Sequence, residues 1–168
     1  MMFKTISDFE KAWGYEGPAT SKLLGKLTDA SLAQRVGPKY ATLGWLAWHL
    51  TTAIPEMCGR TGLKINGPAT GAPIPAKAAD IAAAYEKASK SLMEQIKSLW
   101  KDETLKIEDD MYGEMWKRGE TLFSLIMHQA HHRGQMTVLM RQAGLPVPGI
   151  YGPSCEEWAA MGMKPPAV

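Results

Sequence analysis

Three of the four histidines in this chain crowd into one stretch, as His128, His131 and His132, and the fourth, His49, stands in a separate apolar segment. Imidazole ligates several transition metals while neutral and is also an acid and base near neutral pH. Residues four apart on an α-helix differ by roughly 40° in direction and 6 Å in rise, so His128 and His132 can converge on one ion from a single helix face. A third donor must come from another element. His49, among Leu46, Leu50 and Ala53 on the core side of its segment, can supply it if the two helices are neighbours. Three neutral imidazoles leave coordination positions open for water or substrate, which is a catalytic rather than a structural arrangement. The expected cofactor is one divalent metal ion, zinc or nickel first and iron or manganese next. A lone histidine is more often a hydrogen-bonded core or surface residue, so the His128–His132 pair by itself does not carry the assignment.

Several neighbours are weighed as catalytic candidates. His131 points roughly 60° from His128 on a helix, which reads as a flanking imidazole, hydrogen-bonded or at an oligomer surface, ahead of a general acid or base. Gln135 follows His128 by seven positions on the same face; substrate binding or orientation of bound water stands level with ordinary packing. Glu56 follows His49 by seven and is a candidate general base, although Pro55 intervenes and a solvated glutamate is the simpler reading. Arg133 projects away from the ligand face, as for a structural salt bridge, and Gly134 leaves room for another backbone. Trp45, Trp48 and Met57 read as core or as the wall of a pocket.

Four helix-period segments position these residues, separated by Gly and Pro clusters, and no strand-like alternation is long enough to build a sheet. Phe9, Trp13, Thr20, Leu23, Leu24 and Leu27 mark the first, which Gly17-Pro18 should kink or split. Leu43, Leu46, Ala47, Leu50 and Ile54 mark the second, with a bend expected at Pro55. A Gly- and Pro-rich connection, Gly59 to Pro75, is long enough to cross the domain and let the next helix run parallel to the one before. The third segment covers about Ala76 to Trp100. Beyond it Leu105-Lys106-Ile107 and Met115-Trp116-Lys117 flank residues 109–113 as a possible β-hairpin. The fourth runs from about Thr121 to Gln142, with Leu122, Leu125, Ile126, Gln129, Met136, Leu139 and Met140 as packing positions and Gly144 as its cap. Ser154 and Glu157 read as a capping box opening a short C-terminal helix near Cys155 to Met161, and the Pro165-Pro166 tail should fray.

With 168 residues, 45% of them apolar and 21% charged, the chain has the size and composition of one globular domain spanning residues 1–168. The formal charge of +2, without a basic stripe interleaved with aromatics, argues against nucleic acid as the partner. No cationic leader followed by an apolar run and no span of membrane length appear, so a cytoplasmic protein without membrane contact is expected. Cys58 and Cys155 lack metal-site spacing and read as reduced thiols.

The run His128-Gln129-Ala130-His131-His132-Arg133-Gly134-Gln135, then Arg141-Gln142-Ala143-Gly144-Leu145-Pro146-Val147-Pro148-Gly149-Ile150-Tyr151-Gly152-Pro153, resembles the C-terminal signature of the DinB/YfiT-like family. Leu43-Gly44-Trp45-Leu46-Ala47-Trp48-His49 is similar to its second-helix motif. The resemblance implies an all-α four-helix bundle of up-down-down-up order, often a homodimer, with a divalent metal held by His49, His128 and His132. The family includes damage-inducible proteins, metal-dependent hydrolases, and transferases or an isomerase working with low-molecular-weight thiols such as bacillithiol or mycothiol. The leading expectation is a metal-dependent enzyme acting on a small-molecule substrate, with thiol S-transfer slightly ahead of hydrolysis. The alternative class is a non-catalytic, stress-related metal or small-molecule binding protein.

Overall fold

The computed structural model describes residues 3–164, 166 and 167. Pro165 lies outside them, so the expectation of a frayed Pro165-Pro166 tail falls partly beyond the described residues. Four helices carry the fold: α1 Ile6–Leu24, α2 Leu43–Gly59, α3 Ala78–Leu99 and α4 Arg118–Gln142. Each packs on two others, in the ring α1, α3, α2, α4. Phe9, Leu23, Leu50, Ile54, Ile81, Leu92, Leu125 and Met136 are among the buried side chains that fill the centre.

Helix directions follow from the cross-helix contacts. Glu10 pairs with Lys97 and Trp13 donates to Ser89, so α1 and α3 are antiparallel. The crossover after α2 begins beside the end of α3, where Gln95 accepts from the Lys64 amide. It returns past Ser91, which accepts from Asn66, and then to the first half of α2, where Trp48 donates to the carbonyl of Ala72. Hence α2 and α3 are parallel. Leu46 faces Gln135 and Leu139 while Ala53 faces Ser124, so α2 and α4 are antiparallel. The order is up-down-down-up, as the long crossover required.

Local signals start and stop the helices. Thr5 and Asp8 form a reciprocal capping box on α1, and the Thr42 hydroxyl caps α2 by accepting from the Trp45 amide. The first amide of α3 has no local cap; Asp29, far off in sequence, accepts from Ala78 at 2.8 Å. At the end of α4, Gly144 takes φ +73 while Leu145 N–H donates to Met140 and Gly144 N–H to Arg141, a Schellman motif that only a residue free to enter the left-handed region closes without strain.

Three local expectations are corrected. Helix α1 runs through Gly17-Pro18 without splitting, and α2 continues through Pro55, where a bend is expected, to Gly59, because packing against two neighbours outweighs one missing backbone bond. The hairpin is present, but its first strand is Glu108–Met111 (β1) rather than residues 105–107; it pairs with Glu114–Lys117 (β2) through a Tyr112-Gly113 turn with φ +64 and +90. Two positive φ values make the type I′ turn that matches strand twist, and the turn sets the register while Leu105 is drawn into the core from a 3-10 turn. Finally, residues 155–162 form successive hydrogen-bonded turns rather than a regular C-terminal helix. The Glu157 carboxylate accepts from the amides of Ser154 and Gly149, so it ties the loop together, whereas the Ser154 hydroxyl has no partner.

Candidate metal centre

Helices α2 and α4 bring His49, His128 and His132 together. The Nε2 of His128 lies 2.9 Å from that of His49 and 3.1 Å from that of His132, and the three candidate donor atoms fall within 4.8 Å of one another. The i, i+4 spacing stacks His128 and His132 on one face, and the antiparallel packing of α2 raises His49 to the same level. All three rings are half-buried.

The hydrogen bonds around the rings set their tautomers. Gln135 Oε1 lies 2.7 Å from His132 Nδ1, while the Gln135 amide nitrogen lies 3.2 Å from His131 Nε2. With the amide in that orientation, His132 carries its proton on Nδ1 and presents a lone pair at Nε2. A proton on His128 Nε2 can serve only one of its two Nε2 neighbours, and without that proton its lone pair meets the lone pair of His132, so at least one contact is left without a hydrogen bond. A central cation removes that conflict, and three imidazoles are a donor set suited to it. The residues present therefore fit a divalent ion.

Electrostatics also favour neutral ligands. Burial, followed by the nearby His132, His49 and His131, pushes His128 down to about 4. Burial and then His132 lower His49 against the opposing charge of Glu56; burial lowers His132 against its bond to Gln135. At neutral pH little proton competition stands in the way of a cation. For the metal-free protein the sign is definite. A histidine whose folded pKa is depressed binds fewer protons folded than unfolded, so its contribution is complete above its ordinary value of 6.5 and is lost as pH falls toward about 4. Denaturant midpoints of chelator-treated protein should fall across that window. In His128→Leu the decline should be shallower; an equally steep fall in that variant would contradict the assignment.

Two of the three histidines, His49 and His128, border a cavity of about 650 Å³ lined also by Ala53, Met57, Trp116 and Ser124. Glu56 lines it too, as the candidate base should, but both its oxygens are engaged: Oε1 accepts from Arg60 Nε at 2.9 Å and Oε2 from the Tyr112 hydroxyl at 2.6 Å. The Arg60 guanidinium sits 4.3 Å over the Tyr112 ring, and burial followed by the bond to Glu56 pushes the Tyr112 hydroxyl up to about 12. Tyr112 and Trp116 were missed as pocket residues. The only signal for them was the Tyr-Gly pair of the hairpin turn, whose approach to Glu56 is purely tertiary.

The remaining candidates separate. His131 is exposed; it meets the site edge-on against the His132 ring, with centroids 4.9 Å apart, and through Gln135. Gln135 is exposed, lies in a groove beside Leu46 and Leu139, and accepts from His132 Nδ1. Trp45 stacks on His49, with centroids 4.8 Å apart and planes 19° off parallel, yet is 44% exposed. Trp48 is core and anchors the crossover, and Met57 walls the cavity. Arg133 is buried in a salt bridge with Glu16 and bonds the Tyr151 hydroxyl, so the Tyr151 loop latches onto α1. The space beside Gly134 is open, contrary to the close approach expected there. Cys58 is buried, its thiol pushed up to about 12, and both cysteines are free. Among the described residues no helix is long and apolar enough to cross a membrane.

The sequence model of the DinB family matches residues 2–166. The chain belongs to the DinB family. It is 47% identical over 165 residues to a curated Bacillus subtilis relative named uncharacterized protein YrdA, covering 98% of this chain and 99% of that one. A crystal structure of a DinB-like protein from Bacillus cereus superposes with a TM-score of 0.86 at 47% identity, covering 89% of this chain and all of the other. The DinB-like protein YjoA of Bacillus subtilis shares the fold at 14% identity, with a TM-score of 0.68 over 88% of this chain and 99% of its own. The DinB bundle thus carries a histidine triad positioned to hold a metal ion.

Proposed function

We propose that this DinB-family protein is a metal-dependent enzyme in which His49, His128 and His132 hold one divalent ion, zinc or nickel, and that it transfers a low-molecular-weight thiol to an electrophilic small molecule. The observation that carries the reading is the convergence of three imidazole Nε2 atoms, at 2.9 and 3.1 Å, with two of the rings, His49 and His128, lining a cavity of about 650 Å³. An ion held there would supply Lewis acidity, lowering the pKa of a thiol or water enough to give a nucleophile at neutral pH.

The chain's own groups do the rest. Gln135 keeps the His132 lone pair aimed at the other two rings. Ala53, Met57 and Trp116 offer an apolar surface to the electrophile. Glu56 already accepts from Arg60 and Tyr112, which leaves it poorly placed to take a proton from water. A thiol, far more acidic than water, needs no such base, and this favours thiol transfer. In that reaction a carbon–sulfur bond forms, the leaving group departs with its electron pair, and the thiol proton passes to solvent. Hydrolysis is the second reading, supported by the place of Glu56 in the cavity wall. Self-association as a homodimer belongs to the same proposal and is checked by sedimentation.

The test is the rate at which metal-loaded protein couples a bacillithiol-type thiol to an alkyl or epoxide electrophile, measured against the metal-free protein and His132→Ala. A rate confined to the loaded wild type supports transfer. Ester or amide cleavage without thiol dependence selects hydrolysis, and no turnover of either kind selects a binding role.

A further inference from the structure

One buried side chain touches all four helices. Gln129 is 0% exposed, on α4 directly after His128. Its Oε1 accepts from the Thr20 hydroxyl of α1 at 3.1 Å and the Tyr85 hydroxyl of α3 at 3.3 Å. Its amide nitrogen donates to the carbonyl of Leu50 on α2 at 3.0 Å, and Leu50 directly follows His49. The Leu50 carbonyl can only accept, whereas the two hydroxyls can donate or accept, so the carbonyl decides which way the amide points and the nitrogen must face α2.

We infer that Gln129 is a positioning residue for the metal centre, a clamp that sets the height of α2 against α4 so that His49 meets His128 and His132. The inference rests on the reading of the triad as a metal site. Helix-on-helix packing by apolar side chains tolerates small axial shifts, since Leu and Ile contacts are non-directional. A hydrogen bond between a side chain and one particular carbonyl does not, because its strength falls steeply with distance and angle. The clamp joins residues adjacent in sequence to ligands on both helices. A one-residue slip along α2 would move His49 by about 1.5 Å, enough to separate its Nε2 from the other two. Removing a buried polar pair together and filling the space with apolar groups is nearly neutral for stability. A positioning role therefore predicts that metal affinity and stability separate, whereas a merely structural role makes them move together.

The experiment uses the full chain with cobalt(II) as probe, its affinity read by competition with a chromophoric chelator and its ligand geometry by absorption. Gln129→Leu/Tyr85→Phe, in which no buried hydroxyl at Tyr85 is left without its acceptor, is expected to melt near the wild-type temperature in chelator. It should bind cobalt on the order of 10-fold or more weakly, with an altered spectrum. Gln129→Met, similar in length and lacking the donor, provides the same readout should the double variant not fold. Ile96→Val, a core truncation on α3, should lower the melting temperature and leave affinity unchanged. Unaltered affinity and spectrum in the Gln129 variants overturn the inference while leaving the triad intact. Affinity that tracks melting temperature across all variants, Ile96→Val included, also overturns it. A wild type that binds no cobalt overturns both the inference and the metal reading.

Discussion

Replacing His132 with alanine should take the metal content of protein purified without a histidine tag from about one divalent ion per chain to a small fraction of that, since the remaining two imidazoles fall short of the three protein ligands that hold such an ion. The two rings left, His49 and His128, keep their 2.9 Å contact, so the loss would come from ligand number rather than from collapse of the site. Stability gives a second readout. An ion present at a hundredfold excess over its dissociation constant stabilises the folded state by about 2.7 kcal/mol. In a domain of this size that is a rise in melting temperature of about 5–10 °C. Wild type should show this rise with zinc or nickel and His132→Ala should not. Full metal retention in the variant, or no uptake by wild type from either metal, would reduce the cluster to packing.

Glu16→Ala should be the most damaging substitution remote from the site. The Arg133 side chain is 2% exposed, and its guanidinium also donates to the Glu16 carbonyl at 3.0 Å and the Thr20 hydroxyl at 2.9 Å, with Nε left unpaired. Removing the carboxylate strands a buried positive charge, which costs about 3–5 kcal/mol, or a drop in melting temperature of about 10 °C. Replacing both partners with apolar residues, as Glu16→Leu/Arg133→Met, should recover most of that loss, because neither charge then has to be desolvated. Metal content at low temperature should be unchanged in Glu16→Ala, which separates this pair from the ligand cluster. A melting temperature within a degree or two of wild type would show that water reaches the guanidinium and that the pair is not a buried one.

Much of the architecture was legible because it is written in local chemistry. The four helices follow from apolar periodicity and the α4 stop from Gly144, each decided within a few residues of chain. The His128–His132 pair was legible for the same reason, since i, i+4 spacing fixes relative direction on any helix. What failed was also local in origin. Gly17-Pro18 looks like a split when only the missing N–H is considered, and Ser154 with Glu157 looks like a helix start when only spacing is considered. In α1 packing overrode the proline, and after α4 the Glu157 carboxylate tied back its own loop instead of opening a helix.

Alone, the sequence determined the four long helices, the long crossover that lets α2 and α3 run parallel, and three imidazoles able to share an ion. Only the tertiary structure decided that Gln135 orients His132, that Glu56 is engaged by Arg60 and Tyr112, that Gln129 joins all four helices, and that Arg133 lies buried against Glu16. The reason is the range of the interactions. Periodicity and caps are set by neighbours in sequence, whereas a polar side chain's partner is set by whichever backbone or side chain the packed helices bring to within about 3 Å. In α4 those polar groups sit on the buried as well as the exposed faces, so its pattern could mark a helix but not what each face meets.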